Sequence, residues 1–219
     1  PGVRITVPTR RARSGRDLQA LPGVEFLRTN VHDDVELQRC LRGADAVVNL
    51  VAILHGSRGQ FEKVHVALPR RLAGACAAQG IRRVLHVSAL GVGEQAPSDY
   101  LRSKTEGEAV LRAAPLELTV LRPSVIFGAH DRFLNLFAQM QAFAPVVPLA
   151  CADARFQPVW VGDVSQALVR CLKDRATIGQ TYECTGPSEL TLADVVRLAG
   201  RSSGHERPVI ALPAWAGRL

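Results

Sequence analysis

The chain holds two tyrosines and three lysines, and one of each falls in the run Tyr100-Leu101-Arg102-Ser103-Lys104. Residues four apart lie on one face of a helix, so the ammonium of Lys104 can stand beside the phenol of Tyr100. A neighbouring cation favours phenolate and is expected to lower the tyrosine pKa, which makes Tyr100 usable as a general acid or base near neutrality. Ser88 lies twelve residues upstream, at the end of the apolar run Val84-Leu85-His86-Val87. Its hydroxyl can hold a carbonyl or hydroxyl group against the phenol. Composition alone yields a Tyr-x-x-x-Lys run with a probability of about 0.03, and about 0.003 once Ser or Thr is required at one upstream position. The competing reading is a surface helix whose tyrosine and lysine are merely solvated. Ser88, Tyr100 and Lys104 are therefore the candidate catalytic residues.

Such a set needs a strand to carry the serine and a helix to carry the other two. Strands are expected at Val3 to Val7, Val24 to Leu27, Ala46 to Ala52, Val84 to Ser88 and Leu118 to Leu121. The Ala46 run is nearly continuous and apolar, as suits a strand buried on both faces. Helices are expected over Asp34 to Leu41 with Asp33 as cap, over Phe61 to Ala78 with Gly80 at its end, and over Asp99 to Ala113. Asp163 reads as the N-cap of Val164 to Leu172. The alternation of strand and helix with short connections predicts an α/β protein with a doubly wound parallel sheet. In such a sheet a central first strand leads into a glycine-rich turn. Val3 to Val7 is followed by charged residues instead and reads as the second strand. The first strand and its glycine-rich turn are thus expected to lie outside this sequence, or to come from another segment or chain, since a gap would leave buried backbone groups unpaired.

In nucleotide-binding sheets the adenosine ribose lies at the end of the second strand. Here Thr9, Arg10 and Arg11 stand at that point. An acidic residue would bind a 2′-hydroxyl, whereas arginine accommodates a 2′-phosphate, so NADP(H) is favoured over NAD(H). Asn30 and Val31 can meet the adenine, although the same residues can simply lead into a helix cap. Leu50, Val51 and Ala52 end the Ala46 run, where a dinucleotide can approach the backbone. Pro123, Ser124 and Val125 follow the Leu118 run and can line a nicotinamide pocket.

Charge and cysteine content narrow the class. The net charge of +7 is carried mostly by arginine, and the arginines are dispersed without interleaved aromatics. A site for a phosphorylated cofactor, or contact with an acidic surface, explains this charge as well as nucleic acid does, and the dispersal makes nucleic acid the less favoured partner. The five cysteines form no CxxC pair and read as reduced, mostly buried thiols of a cytoplasmic protein. His65 and His86 fall in a helix and a strand and read as packed rather than metal-ligating. No run reaches the roughly 20 apolar residues of a membrane span.

These stretches resemble the short-chain dehydrogenase/reductase superfamily. The resemblance rests on Tyr100 to Lys104 with Gly107-Glu108, on Leu121-Arg122-Pro123-Ser124-Val125-Ile126-Phe127-Gly128, and on Asp131-Arg132-Phe133-Leu134-Asn135. Gln157-Pro158-Val159-Trp160-Val161, Asp163-Val164, Gly179-Gln180-Thr181-Tyr182 and Gly186-Pro187 complete it. The chain is similar to an atypical branch: the nucleotide-binding accessory subunit of respiratory complex I and its bacterial relatives of the NAD-dependent epimerase/dehydratase type. The resemblance implies one Rossmann-type domain over 1–219, with 127–156 and 186–219 forming a smaller substrate-side lobe. It implies that Tyr100 and Lys104 also touch the nicotinamide ribose. It implies an oxidoreductase acting on a small carbonyl or hydroxyl substrate, or else a non-catalytic subunit joined to respiratory-chain proteins at the inner membrane.

Overall fold

Local sequence accounts for most of the element boundaries in the computed structural model, which describes residues 2–10 and 20–213. β1 (Ile5–Thr9) and β2 (Val24–Arg28) pair in parallel, with Ile5 opposite Val24. α1 (Asp34–Leu41) starts where expected: the Asp33 carboxylate accepts from the Glu36 backbone N–H and satisfies one orphan donor of the first turn. β3 (Ala46–Asn49) follows. The next helical stretch begins with a capping box between Ser57 and Gln60 as α2 (Arg58–Phe61), widens into a π-helical segment over Glu62–Ala67, and continues as α3 (Leu68–Ala78). Gly80, at φ +71°, turns the chain into β4 (Arg83–Val87). α4 (Asp99–Arg112) is capped by the Ser98 hydroxyl and leads to β5 (Glu117–Pro123).

β6 (Ile126–Phe127), α5 (Leu134–Phe143), β7 (Val147–Ala150), β8 (Arg155–Phe156) and β9 (Val159–Trp160) come next. α6 (Val161–Lys173), β10 (Thr181–Cys184), β11 (Leu190–Thr191), α7 (Leu192–Ser203) and β12 (Val209–Leu212) complete the order. Asp163, expected as a cap, lies inside the first turn of α6 because that helix starts two residues earlier. Its carboxylate still faces a favourable dipole end there.

β3, β4 and β5 are parallel neighbours in a four-stranded sheet of order β10-β5-β4-β3. Against it pack Leu37, Leu41, Leu72, Cys76 and Leu111 from the helices, meeting Val84, Leu118 and Val120 of the strands. Each such buried side chain contributes about 1.5–3 kcal/mol. β1 and β2 form a separate two-stranded sheet. In the expected order a strand would stand between β1 and β3, and no described residue supplies it. This corrects the expectation for the Ala46 run. The strand ends at Asn49, and Val48 is 40% and Leu50 61% exposed, because β3 hydrogen-bonds to β4 alone among the described strands.

The residues divide into two compact units: Pro1–Leu121 with Asp174–Thr181, and Arg122–Lys173 with Tyr182–Leu219. The segments 127–156 and 186–219 both belong to the second unit, which also takes in α6. Its core joins Val147 and Leu149 to Ala193 and Val196. None of the five cysteines is in a disulfide; Cys76 and Cys171 are buried, Cys40 and Cys184 are half-buried, and Cys151 is exposed. Among the described residues, no helix is long and apolar enough to cross a membrane.

Candidate active site

The first unit draws Ser88 and Lys104 to one place. Ser88 directly follows β4, and its backbone N–H donates to the Leu121 carbonyl at 2.7 Å, which extends the β4–β5 ladder by one bond. Lys104 is buried on α4, and its Nζ donates to the carbonyl of Val87, the residue before Ser88, at 2.8 Å. The Ser88 hydroxyl is buried, 5% exposed, and has no hydrogen-bond partner among the described residues. A buried hydroxyl left without a protein partner is costly, and it suits a ligand oxygen. Tyr100 lies half-buried one helical turn before Lys104.

The electrostatics differ from the expectation for Tyr100. Burial pushes its phenol above the usual value, and the Lys104 ammonium gives one of its three N–H groups to the Val87 carbonyl. Lys104 is itself brought down to about 8, chiefly by burial and partly offset by the Glu108 carboxylate. At neutral pH Tyr100 is therefore a phenol with a proton to give, and Lys104 is a cation held near the point of losing its charge. Glu108, one turn further along α4, is buried and pairs with Arg112 at 3.0 Å.

Other expected positions scatter over both units. Thr9 ends β1 half-buried, and its carbonyl accepts from the Thr29 N–H at 3.0 Å. Arg10 follows it, exposed; Arg11 lies outside the described residues. Asn30 is exposed, and its side chain accepts from the His32 N–H at 3.2 Å, forming the turn before α1. Val31 packs partly into the core of the first unit. Leu50, Val51 and Ala52 are exposed after β3, with the Val51 N–H held by the Asn49 side chain at 3.2 Å. Pro123, Ser124 and Val125 belong to the second unit, where Ser124 N–H donates to Cys184 O and Val125 O accepts from Val159 N–H.

Sequence reasoning missed three residues. Thr29 is buried at the end of β2, and its hydroxyl has no partner among the described residues. His65 and Ser103 are hydrogen-bonded at 2.8 Å beneath Tyr100. A histidine and a serine 38 positions apart give no local signal. Gly107 was visible as part of the motif, and its reason now is steric: a Cβ there would lie 2.0 Å from the His65 carbonyl oxygen. Asp131, in the motif Asp-Arg-Phe-Leu-Asn, is a local clamp. Its Oδ1 accepts from the N–H groups of Phe133 and Leu134, and Asn135 donates back to its carbonyl at 2.9 Å.

Comparison with known proteins gives these arrangements a context. Residues 2–132 match the model of a family described as NAD(P)H-binding. The chain is 37% identical over 201 residues to the mitochondrial NADH dehydrogenase [ubiquinone] 1 alpha subcomplex subunit 9 of Mus musculus, covering 89% of this chain and 53% of that protein. It is 31% identical over 200 residues to a ceramide reductase of Caulobacter vibrioides, covering 90% and 61%. The chain thus spans about half to three-fifths of the length of these curated relatives. Among solved structures, a dTDP-glucose 4,6-dehydratase of Streptomyces venezuelae superimposes with a TM-score of 0.83 at 22% identity, covering 96% of this chain and 76% of that one. That likeness makes the fold Rossmann-type.

Proposed function

The chain belongs to the NAD(P)H-binding family, and from that premise we propose that it is an NADP(H)-preferring oxidoreductase, tolerant of NAD(H), that acts on a carbonyl or hydroxyl substrate. The reading rests above all on the Ser88 hydroxyl, buried and without a hydrogen-bond partner among the described residues, at the strand end to which Lys104 is tied. In the reducing direction Ser88 holds the substrate carbonyl oxygen, and Tyr100 gives that oxygen its phenolic proton as hydride arrives at carbon. Bound NAD(P)H supplies the hydride. Lys104 stabilises the phenolate left behind and also meets the nicotinamide ribose. Thr9, Arg10 and Arg11 receive the adenosine end, with the arginines on the 2′-phosphate. Asn30 and Val31 border the adenine, and Leu50 to Ala52 the middle of the cofactor. The raised pKa of Tyr100 keeps it protonated at neutral pH, the state from which a proton donor must start.

A second reading is favoured by the 37% identity to a subunit of a mitochondrial NADH dehydrogenase. In it the protein binds the dinucleotide as a structural element and serves as an accessory or assembly subunit beside respiratory-chain proteins, peripheral to the inner membrane. One experiment separates the two. The intact protein is purified, its bound nucleotide is identified by mass spectrometry, and NADPH oxidation is followed with quinone and long-chain ketone substrates. Turnover that falls at least about 10²-fold in Tyr100→Phe, with NADPH affinity retained, supports the oxidoreductase. Nucleotide bound without turnover, together with co-purified respiratory subunits, supports the second reading. Turnover unchanged in Tyr100→Phe refutes the role of Tyr100.

A further inference from the structure

Beneath Tyr100 lies a buried imidazole whose two nitrogens are both engaged. His65 is 2% exposed and sits in the π-helical segment between α2 and α3. Such segments are rare and concentrate at functional sites. The backbone N–H of Ile53 donates to His65 Nε2 at 3.1 Å, and His65 Nδ1 lies 2.8 Å from the Ser103 hydroxyl. That hydroxyl in turn donates to the Tyr100 carbonyl at 2.7 Å.

These bonds fix every proton. A backbone N–H can only donate, so Nε2 carries the lone pair. The ring is neutral, because burial first and the Lys104 charge second bring it down to about 4. Nδ1 therefore holds the hydrogen and donates to Ser103, whose own hydrogen goes to Tyr100. Around the ring, Phe61 stacks at 5.5 Å and Tyr100 meets it edge-on at 5.4 Å. Gly107 lets α4 close onto the His65 carbonyl, which holds the histidine against the helix that carries Tyr100 and Lys104.

We propose that His65 is a positioning residue: as the Nδ1–H tautomer it couples the loop after β3, which carries Leu50 to Ala52, to the Tyr100 end of α4, so that the cofactor-lining backbone and the phenol are set together. The proposal rests on the reading of those residues as a dinucleotide site. A histidine that merely fills space needs neither hydrogen bond, nor one particular tautomer.

The test uses three substitutions. His65→Phe keeps the ring and loses both hydrogen bonds. His65→Gln can place an acceptor where Nε2 stands. His65→Asn can place a donor where Nδ1 stands but does not reach Ile53. NADPH is the probe, its dissociation constant is read by fluorescence, and amide exchange is read at Ile53. Losing one hydrogen bond that orders the loop weakens NADPH binding about tenfold in His65→Phe and His65→Asn. His65→Gln stays within about threefold of the parent by the same reasoning. Exchange at Ile53 accelerates in the first two variants and not in His65→Gln. Equal NADPH affinity in all three variants overturns the proposal. So does a nitrogen NMR spectrum of the parent protein showing hydrogen on Nε2, which needs neither a variant nor a ligand. If the parent protein fails to bind NADPH, the dinucleotide reading itself falls, and the Ile53 exchange pattern and the tautomer then decide whether the tether exists.

Discussion

Lowering the pH from 7 to 5 should destabilise the first unit through two histidines that the fold keeps neutral. His65 is brought from 6.5 to about 4 and His86 to about 3, each chiefly by burial and next by the Lys104 charge. Both nitrogens of His65 are engaged, and His86 Nδ1 faces the Asn49 amide nitrogen at 3.1 Å while Nε2 has no partner among the described residues. In the unfolded chain both rings take a proton near pH 6.5; in the folded chain neither does until well below pH 5. The unfolded state thus binds more protons between these values, and stability falls as the pH falls. At 1.36 kcal/mol per pH unit per group, with the curvature near 6.5 included, each histidine removes about 2 kcal/mol between pH 7 and 5, or about 4 kcal/mol together. His32, also lowered by burial, adds in the same direction. A total of about 4 kcal/mol is a large share of the ~5–15 kcal/mol that holds a domain folded. Urea titrations at the two pH values, followed by far-UV circular dichroism, should show the midpoint falling by about 2 M for an m-value of about 2 kcal/mol/M. His86→Gln should halve this fall. A midpoint that moves by less than about 0.5 M would refute the reasoning, since it would mean that the rings are protonated alike in both states.

Three further outcomes follow from single contacts. Gly107→Ala drives a methyl to 2.0 Å from the His65 carbonyl, so α4 must retreat; a loss of about 1–3 kcal/mol is expected in thermal unfolding, and an unchanged Tm would contradict the close approach. Arg10→Glu should cut the NADPH-to-NADH affinity ratio at least about tenfold in fluorescence titrations, because it replaces an attraction for the 2′-phosphate by a repulsion. Asp131→Ala leaves the N–H groups of Phe133 and Leu134 without their acceptor and should lower stability by about 1–2 kcal/mol, read as a fall in Tm of the second unit.

Much of the frame was legible in the order of residues alone. Asp33 caps the helix it precedes, because capping is a matter of three or four consecutive residues. The parallel sheet followed from strands separated by helices, and the spacing of Tyr100 and Lys104 put both on one helix face. The chemistry around them was not legible. The Tyr100 phenol rises rather than falls, since burial is a property of the packed fold and the ammonium found the Val87 carbonyl, 17 positions away. The His65 relay joins residues 12 and 38 positions apart, through a π-helical segment that no periodicity announces. Gly107 marks the divide. Its place in the motif was plain from the sequence, but its reason, a carbonyl of another helix 2.0 Å from where a Cβ would sit, exists only once α4 is packed against the helix that carries His65. Short-range hydrogen bonding and side-chain period are written in neighbouring residues; desolvation, proton placement and backbone approach depend on segments that only folding brings together.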